Sequence, residues 1–174
     1  MKGISVLITT FILSIFVITA QADPPEKILK KINKEIRSNY PGIIIEKISI
    51  DTIDHNIGSN NGYKFYSYYL EHNNTKVGTI FYTQALGRFD LFDFLVIFNN
   101  ESVIKKVKVI QYLSPHGGEI SSKGFLKQFL NKPDAEDYRY LKEINGISGA
   151  TISGNAITKE INRLHKIVKK LNNR

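Results

Sequence analysis

Asn145-Gly146-Ile147-Ser148-Gly149-Ala150-Thr151-Ile152-Ser153 stands just before the last long helical pattern of the chain. Two glycines and three hydroxyl residues share its nine positions. Glycine lets the backbone turn tightly and approach a ligand closely. The start of the following helix offers unpaired N–H groups and a partial positive charge, a combination that suits a phosphate. The stretch therefore reads as a phosphate seat with the hydroxyl of Thr151 beside it. The same residues also read as a simple capped turn, with Ser153 as the N-cap.

Outward from this point the elements follow from periodicity. Ile157, Ile161, Leu164, Val168 and Leu171 recur at helical spacing after Ser153, with Lys159, Arg163, Lys166, Lys169 and Lys170 on the other side. His165 is assigned to that polar, solvated side. Upstream, residues 138–144 read as a short strand or extended approach, and residues 123–130 as a helix with Phe125, Leu126, Phe129 and Leu130 on one side. Ser114-Pro115-His116-Gly117-Gly118-Glu119 forms a second glycine-bearing loop.

Two hairpins precede it. Residues 63–70 and 76–84 read as strands joined by the turn signal His72-Asn73-Asn74-Thr75. Residues 91–98 and 102–113 form the second pair, and its high apolar content places it at the centre of the sheet. Near the start, Ile28, Leu29, Ile32 and Ile36 predict an amphipathic helix, with Pro25 at its first position and an end before Pro41. Residues 43–50 read as a strand, and residues 51–62, with His55, as a loop.

Composition narrows the chemistry. The 174 residues contain no cysteine and no methionine beyond Met1. That excludes disulfides, thiolate zinc sites, cysteine-ligated clusters and covalent c-type haem. A carrier of electrons here is organic, or a metal held by His and carboxylates. Residues 1–22 have the form of an export signal: Lys2, an apolar run over residues 4–18, then Ala20-Gln21-Ala22, with cleavage expected after Ala22. The net charge of +8 falls to +7 without that segment. For an exported chain this reads first as a solvated lysine-rich face, and beyond that favours an acidic partner or an anionic membrane surface over nucleic acid. No His/Asp/Glu spacing for a metal and no Ser-His-Asp order is present.

Ser148-Gly149-Ala150-Thr151, followed by Ile152-Ser153 and a long helix, resembles the flavin attachment motif of the FMN-binding domain family. That family includes the periplasmic FMN subunits of sodium-translocating NADH:quinone reductase and of Rnf-type complexes. Tyr112-Leu113-Ser114-Pro115-His116-Gly117-Gly118-Glu119-Ile120, with Phe125-Leu126-Lys127-Gln128-Phe129, is similar to the glycine loop and F-x-x-Q-F helix of small exported members. The resemblance covers roughly residues 77–165. It implies FMN joined through its phosphate to the hydroxyl of Thr151, a bond made in trans by a flavin transferase that uses FAD. The physical reading agrees, because a threonine hydroxyl needs an activating base or metal and none is evident nearby. One position departs from the family: its usual acidic residue is here Asn145, and Glu143 is the nearest carboxylate before it.

The expected fold is α+β, a twisted, mainly antiparallel sheet with packed helices, divided as signal peptide 1–22, N-terminal helix and strands 23–75, and FMN-binding domain 76–174. The expected cofactor residues are Ser148, Gly149, Ala150, Thr151, Ile152 and Ser153 with Gly117, Gly118 and Glu119. His116 is a further candidate at the flavin edge, and Tyr66, Tyr68, Tyr82 and Phe89 are candidates for stacking on the ring. The expected role is electron transfer between a membrane redox complex and another carrier. Two alternatives stand beside it: an exported binding or structural protein that keeps the fold without cofactor, and an FMN-dependent reductase of a small substrate.

Overall fold

The computed structural model describes residues 25–42, 44–47, 63–132 and 137–173. The expected signal peptide and the loop with His55 lie outside the described residues.

Helix α1, Glu26–Asn39, starts one residue after Pro25, whose carbonyl accepts from the N–H of Ile28 at 2.7 Å. Ile28, Ile32 and Ile36 fall on one side and are buried. Lys27, Lys30 and Lys34 are left in water, as the spacing requires.

Five strands follow among the described residues: β1 Ile44–Lys47, β2 Phe65–His72, β3 Thr75–Leu86, β4 Leu91–Asn99 and β5 Ile104–Gln111. They pair in chain order and are antiparallel throughout. Residues on both sides of position 75 thus contribute to one sheet. Asn73 and Asn74 both take positive φ, 50° and 60°, as a two-residue hairpin turn demands. The expectation that the 91–113 hairpin is central needs correction. β3 is the middle strand and β5 an edge. The apolar density of residues 92–98 arises from a different cause: both faces of β4 are covered, so its inward and outward positions are equally apolar.

One face carries α1. Its isoleucines pack with Ile80, Tyr82, Leu95 and Ile97. The other face carries helix α3, Thr151–Asn172, and a larger core that includes Phe81, Phe94, Phe98, Ile157, Ile161, Leu164 and Val168. Burying each such side chain contributes about 1.5–3 kcal/mol. The structure is α+β with an open antiparallel sheet, as expected.

The connection from β5 to α3 differs from its sequence reading. Residues 123–130 are one α-helical turn, α2 Lys123–Leu126, followed by the 3₁₀ turn Lys127–Phe129, with a further 3₁₀ turn at Gly118–Ser121. Residues 138–144 do not form a strand. They make a tight loop with a single parallel bridge, Tyr140 to Ile144, and Leu141 at φ +68°. Side chains replace the strand ladder there. Asn162 of α3 accepts from the N–H of Tyr138 at 2.9 Å and donates to its carbonyl at 2.8 Å.

The sheet side takes more of α3 than an i, i+4 stripe suggests, because residues of β3 and β4 also meet polar positions of the helix. His165 is the clearest correction. It is 1% exposed, with its ring 5.6 Å from that of Phe98. Glu160 is likewise buried, accepting from Thr83 at 3.0 Å and from Arg163 Nε at 2.8 Å. Among the described residues no helix is long and apolar enough to cross a membrane.

Candidate functional site

Three segments meet where α3 begins. The first is the turn between β3 and β4, residues 87–90, closed by a bond from Gly87 N–H to the carbonyl of Asp90 at 2.9 Å. The second is the glycine loop after β5. The third is the run from Ser148 into the first turn of α3. Between them lies a cleft of about 220 Å³, lined by Arg88, His116, Gly117, Gly149, Ala150, Thr151, Ile152 and Ser153.

Tyr112 binds these segments to one another. Its hydroxyl donates to the carbonyl of His116 at 2.6 Å and lies 2.8 Å from Ser153 Oγ. Around it the backbones approach too closely for side chains. A Cβ on Gly117 would stand 2.4 Å from the Tyr112 hydroxyl and 2.9 Å from Ser153 Oγ, and Gly117 has φ +90°. A Cβ on Gly87 would meet Ser153 Oγ at 3.1 Å. Only glycine combines that backbone geometry with that proximity.

Helix α3 begins at Thr151, earlier than the capped turn requires. Ala150 is the flanking residue, and no side chain caps the helix. Ser153 is therefore not the cap. It sits buried in the first turn, its hydroxyl engaged by Tyr112. The first N–H groups of α3 consequently remain available to a ligand, with the positive end of the helix dipole behind them.

Thr151 is exposed at the edge of the cleft, and no described residue forms a hydrogen bond with its hydroxyl. Ser148 is also exposed. Ile152 is 52% exposed, unusual for isoleucine at a helix start. Gly118 and Glu119 do not line the cleft. Glu119 supports it from behind, its carboxylate 3.2 Å from where a Cβ on Gly149 would lie, and Gly149 takes φ +80°.

The approach to the motif is held by Gln128, the polar residue of F-x-x-Q-F. Its side-chain oxygen accepts from Asn145 N–H at 2.7 Å, and its amide donates to the Asn145 carbonyl at 3.3 Å. The two phenylalanines enter the core, their rings 5.7 Å apart and edge to face. Tyr140 packs against Gly154, where a Cβ would lie 2.5 Å from its ring. Its hydroxyl accepts from Ile147 N–H at 3.2 Å. Glu143, the nearest carboxylate before Asn145, is already paired. It is gripped by the guanidinium of Arg139, which bonds it through Nε at 3.0 Å and through Nη2. That hydrogen-bonded pairing holds its carboxyl at about 2, well below the usual range.

Of the aromatic candidates, Tyr68 and Tyr82 are buried on the α1 face and Tyr66 packs against that core. They lie across the sheet from α3 and are core residues. Phe89 alone stands open at the cleft end, 60% exposed. His72 bonds the carbonyl of Gly42 at 3.3 Å, away from the site. Among the described residues no group of His, Asp and Glu could hold a metal ion.

Sequence reasoning missed Arg88 and gave no role to Tyr112 and Gln128. Tyr112 and Gln128 stood inside recognised motifs, which was a signal. Arg88 sits beside a glycine in a hairpin turn, and nothing in the linear pattern connects it to Thr151.

These features form a fitting cradle for a phosphorylated ligand: an uncapped helix start, two glycines at positive φ, a hydroxyl at the edge and a guanidinium. The cleft is smaller than the about 300–1,000 Å³ of pockets that enclose drug-sized ligands. A phosphate and the chain next to it fit inside, and a bulky ring system would extend past the rim. Residues 91–166 match the family model of the FMN-binding domain. The matched segment opens at the first residue of β4 and ends within α3, so it takes in the glycine loop and Thr151. The family resemblance drawn from the motifs is thus borne out. Comparison with curated proteins found no match.

Proposed function

From a chain that carries an FMN-binding domain over residues 91–166, we propose an exported electron-transfer flavoprotein whose FMN is joined through its phosphate to the hydroxyl of Thr151. The observation that carries this reading is the position of Thr151: exposed, at the uncapped start of α3, and facing the cleft with Arg88 and His116. The helix N–H groups and the Arg88 guanidinium would hold the phosphate, and both favour its negative charge. Gly117 and Gly149 keep the cleft walls free of side chains. Bound there, the isoalloxazine supplies one- or two-electron redox chemistry, while the protein supplies position and electrostatics.

No described residue forms a hydrogen bond that could activate the Thr151 hydroxyl, and no metal cluster is present among them. Attachment in trans by a flavin transferase meets that need. Asn145 is exposed, and its backbone is fixed by Gln128. Its side chain is thus presented outward where the family carries an acid. This favours the second reading, a chain that has kept the fold and takes flavin slowly or not at all. In the flavoprotein reading the electron donor is a membrane redox complex and the acceptor a further carrier.

Co-expression with a flavin transferase followed by intact mass measurement tests the proposal. A mass increase of one FMN esterified with loss of water, located on the peptide containing Thr151, is the expected result. An unmodified, colourless protein would leave the cofactor-free reading in its place.

A further inference from the structure

Exposed apolar side chains are not spread evenly over this molecule. Seven large ones are exposed among the described residues, and five of them gather at the cleft end: Leu86, Phe89, Leu91, Leu113 and Ile152. Leu86 and Leu91 are cross-strand partners at the ends of β3 and β4, and Phe89 is in the turn between them. Leu113 lies two residues beyond the end of β5, the strand beside β4. Clustering of this kind marks an interaction surface, whereas scattered single residues do not. These residues crown a protruding turn and its neighbour, which suits entry into a soft phase.

The lysine-rich face of α1 begins at the same end. Lys31 Nζ is 3.5 Å from the side chain of Gln111, the last residue of β5, and Lys108 pairs with Glu35 one turn further along α1. Helix α1 therefore runs antiparallel to β5, with its first turns beside the approach to Leu113. Lys27, Lys30, Lys31 and Lys34 line one shallow surface there. Glu26 is bonded to Lys30 at 2.7 Å, and Arg88 adds a positive charge beside Phe89 at the tip. Acidic residues are exposed at this end as well: Asp90 in the same turn, Glu119 in the glycine loop and Glu26 at the start of α1.

We propose that this end of the molecule docks on a bilayer that carries anionic lipids. Phe89, Leu86, Leu91 and Leu113 enter the headgroup boundary, and the α1 lysines lie against lipid phosphates. Exposed apolar residues combined with a lysine face are what interfacial binding uses, since burial and attraction to anionic headgroups add. The cleft then opens close to the membrane plane. The inference stands apart from flavin attachment, because neither the lysines nor the tip residues depend on it.

The chain has no tryptophan, so Phe89→Trp in the full chain places a single fluorophore at the tip. Emission is expected to move to shorter wavelength with phosphatidylglycerol vesicles and to stay unchanged with phosphatidylcholine vesicles. Replacing Lys27, Lys30, Lys31 and Lys34 together by Gln is expected to raise the lipid concentration needed for half the shift by at least about tenfold. Circular dichroism checks that this variant is folded. Residues 1–22 carry a cation and an apolar run of their own, but they are unchanged in the lysine variant, so a shift that depends on the α1 lysines is not theirs. An absent shift, an equal shift on both vesicles, or a shift indifferent to the lysines overturns the proposal, the last two pointing to a protein as the occupant of this surface. Flavin content is read separately by visible absorbance, so either reading can fail while the other stands.

Discussion

The two ends of β3 are built on opposite plans. At the end where β3 begins, asparagines recur in the turns, with Gly42 in the turn before β1. Asn73 and Asn74 take the positive φ values of the β2–β3 turn. Asn99 accepts from Val103 N–H at 2.8 Å, Asn100 donates to the carbonyl of Lys76 at 2.6 Å, and Asn172 donates to the carbonyl of Asn100 at 2.9 Å and to Ser102 at 3.0 Å. At the other end, glycines make the turns, a helix starts uncapped, and large apolar side chains are left in water. At the first end the polar turn groups are answered from within the chain, and what stays open is apolar: Ile44 and a hollow of about 340 Å³ beside Tyr40, Leu70 and Val77. Groups left unanswered at one place mark where something else is received.

The largest expected break of this contrast is Thr151→Val. It removes the only hydroxyl proposed to carry FMN, so covalent flavin falls to none by mass and absorbance, while thermal stability changes by less than about 1 kcal/mol for an exposed residue. Gly117→Ala comes next. The positive φ and the Cβ placed 2.4 Å from the Tyr112 hydroxyl together cost about 2–4 kcal/mol. Denaturant unfolding is expected to show that loss, with flavin content reduced. Tyr112→Phe removes one hydroxyl shared by His116 and Ser153, at about 1–2 kcal/mol. It slows flavin loading in a timed transferase assay, because the glycine loop is no longer tied to α3.

The smallest change sharpens the comparison from the finished end. Asn172→Ala removes two hydrogen bonds to the β4–β5 turn and is expected to cost about 1 kcal/mol in a thermal melt. It leaves flavin content untouched. If Asn172→Ala lowered flavin loading as much as Tyr112→Phe, the division of the molecule into a structural and a receiving end would be wrong.

Much of this was legible in the sequence. The isoleucine spacing of α1, the Asn73-Asn74 turn and the long helix after Thr151 follow from local rules of period and turn chemistry, which act over a few residues. The attachment tetrad and the F-x-x-Q-F run were legible as motifs. Burial of His165 was not, because its polar ring suggested the solvent side, although it lies four residues from Ile161 and three from Val168 and meets Phe98 of the sheet. The shift of the sheet centre to β3 was not either, since apolar density reports how many faces are covered, not a strand's place in the order.

What the sequence determined alone is the inventory: an α+β chain without cysteine, an apolar opening segment, two glycine loops and a threonine at the head of the last helix. What only the tertiary structure decided is the convergence. Arg88, Tyr112, Gly117 and Ser153 come from segments up to 65 residues apart, and they meet because the meander brings the β3–β4 turn and the end of β5 to the start of α3. Pairing between strands and packing of a helix on a sheet act across sequence distance, so no local pattern in the chain can encode which side chains will share a cleft.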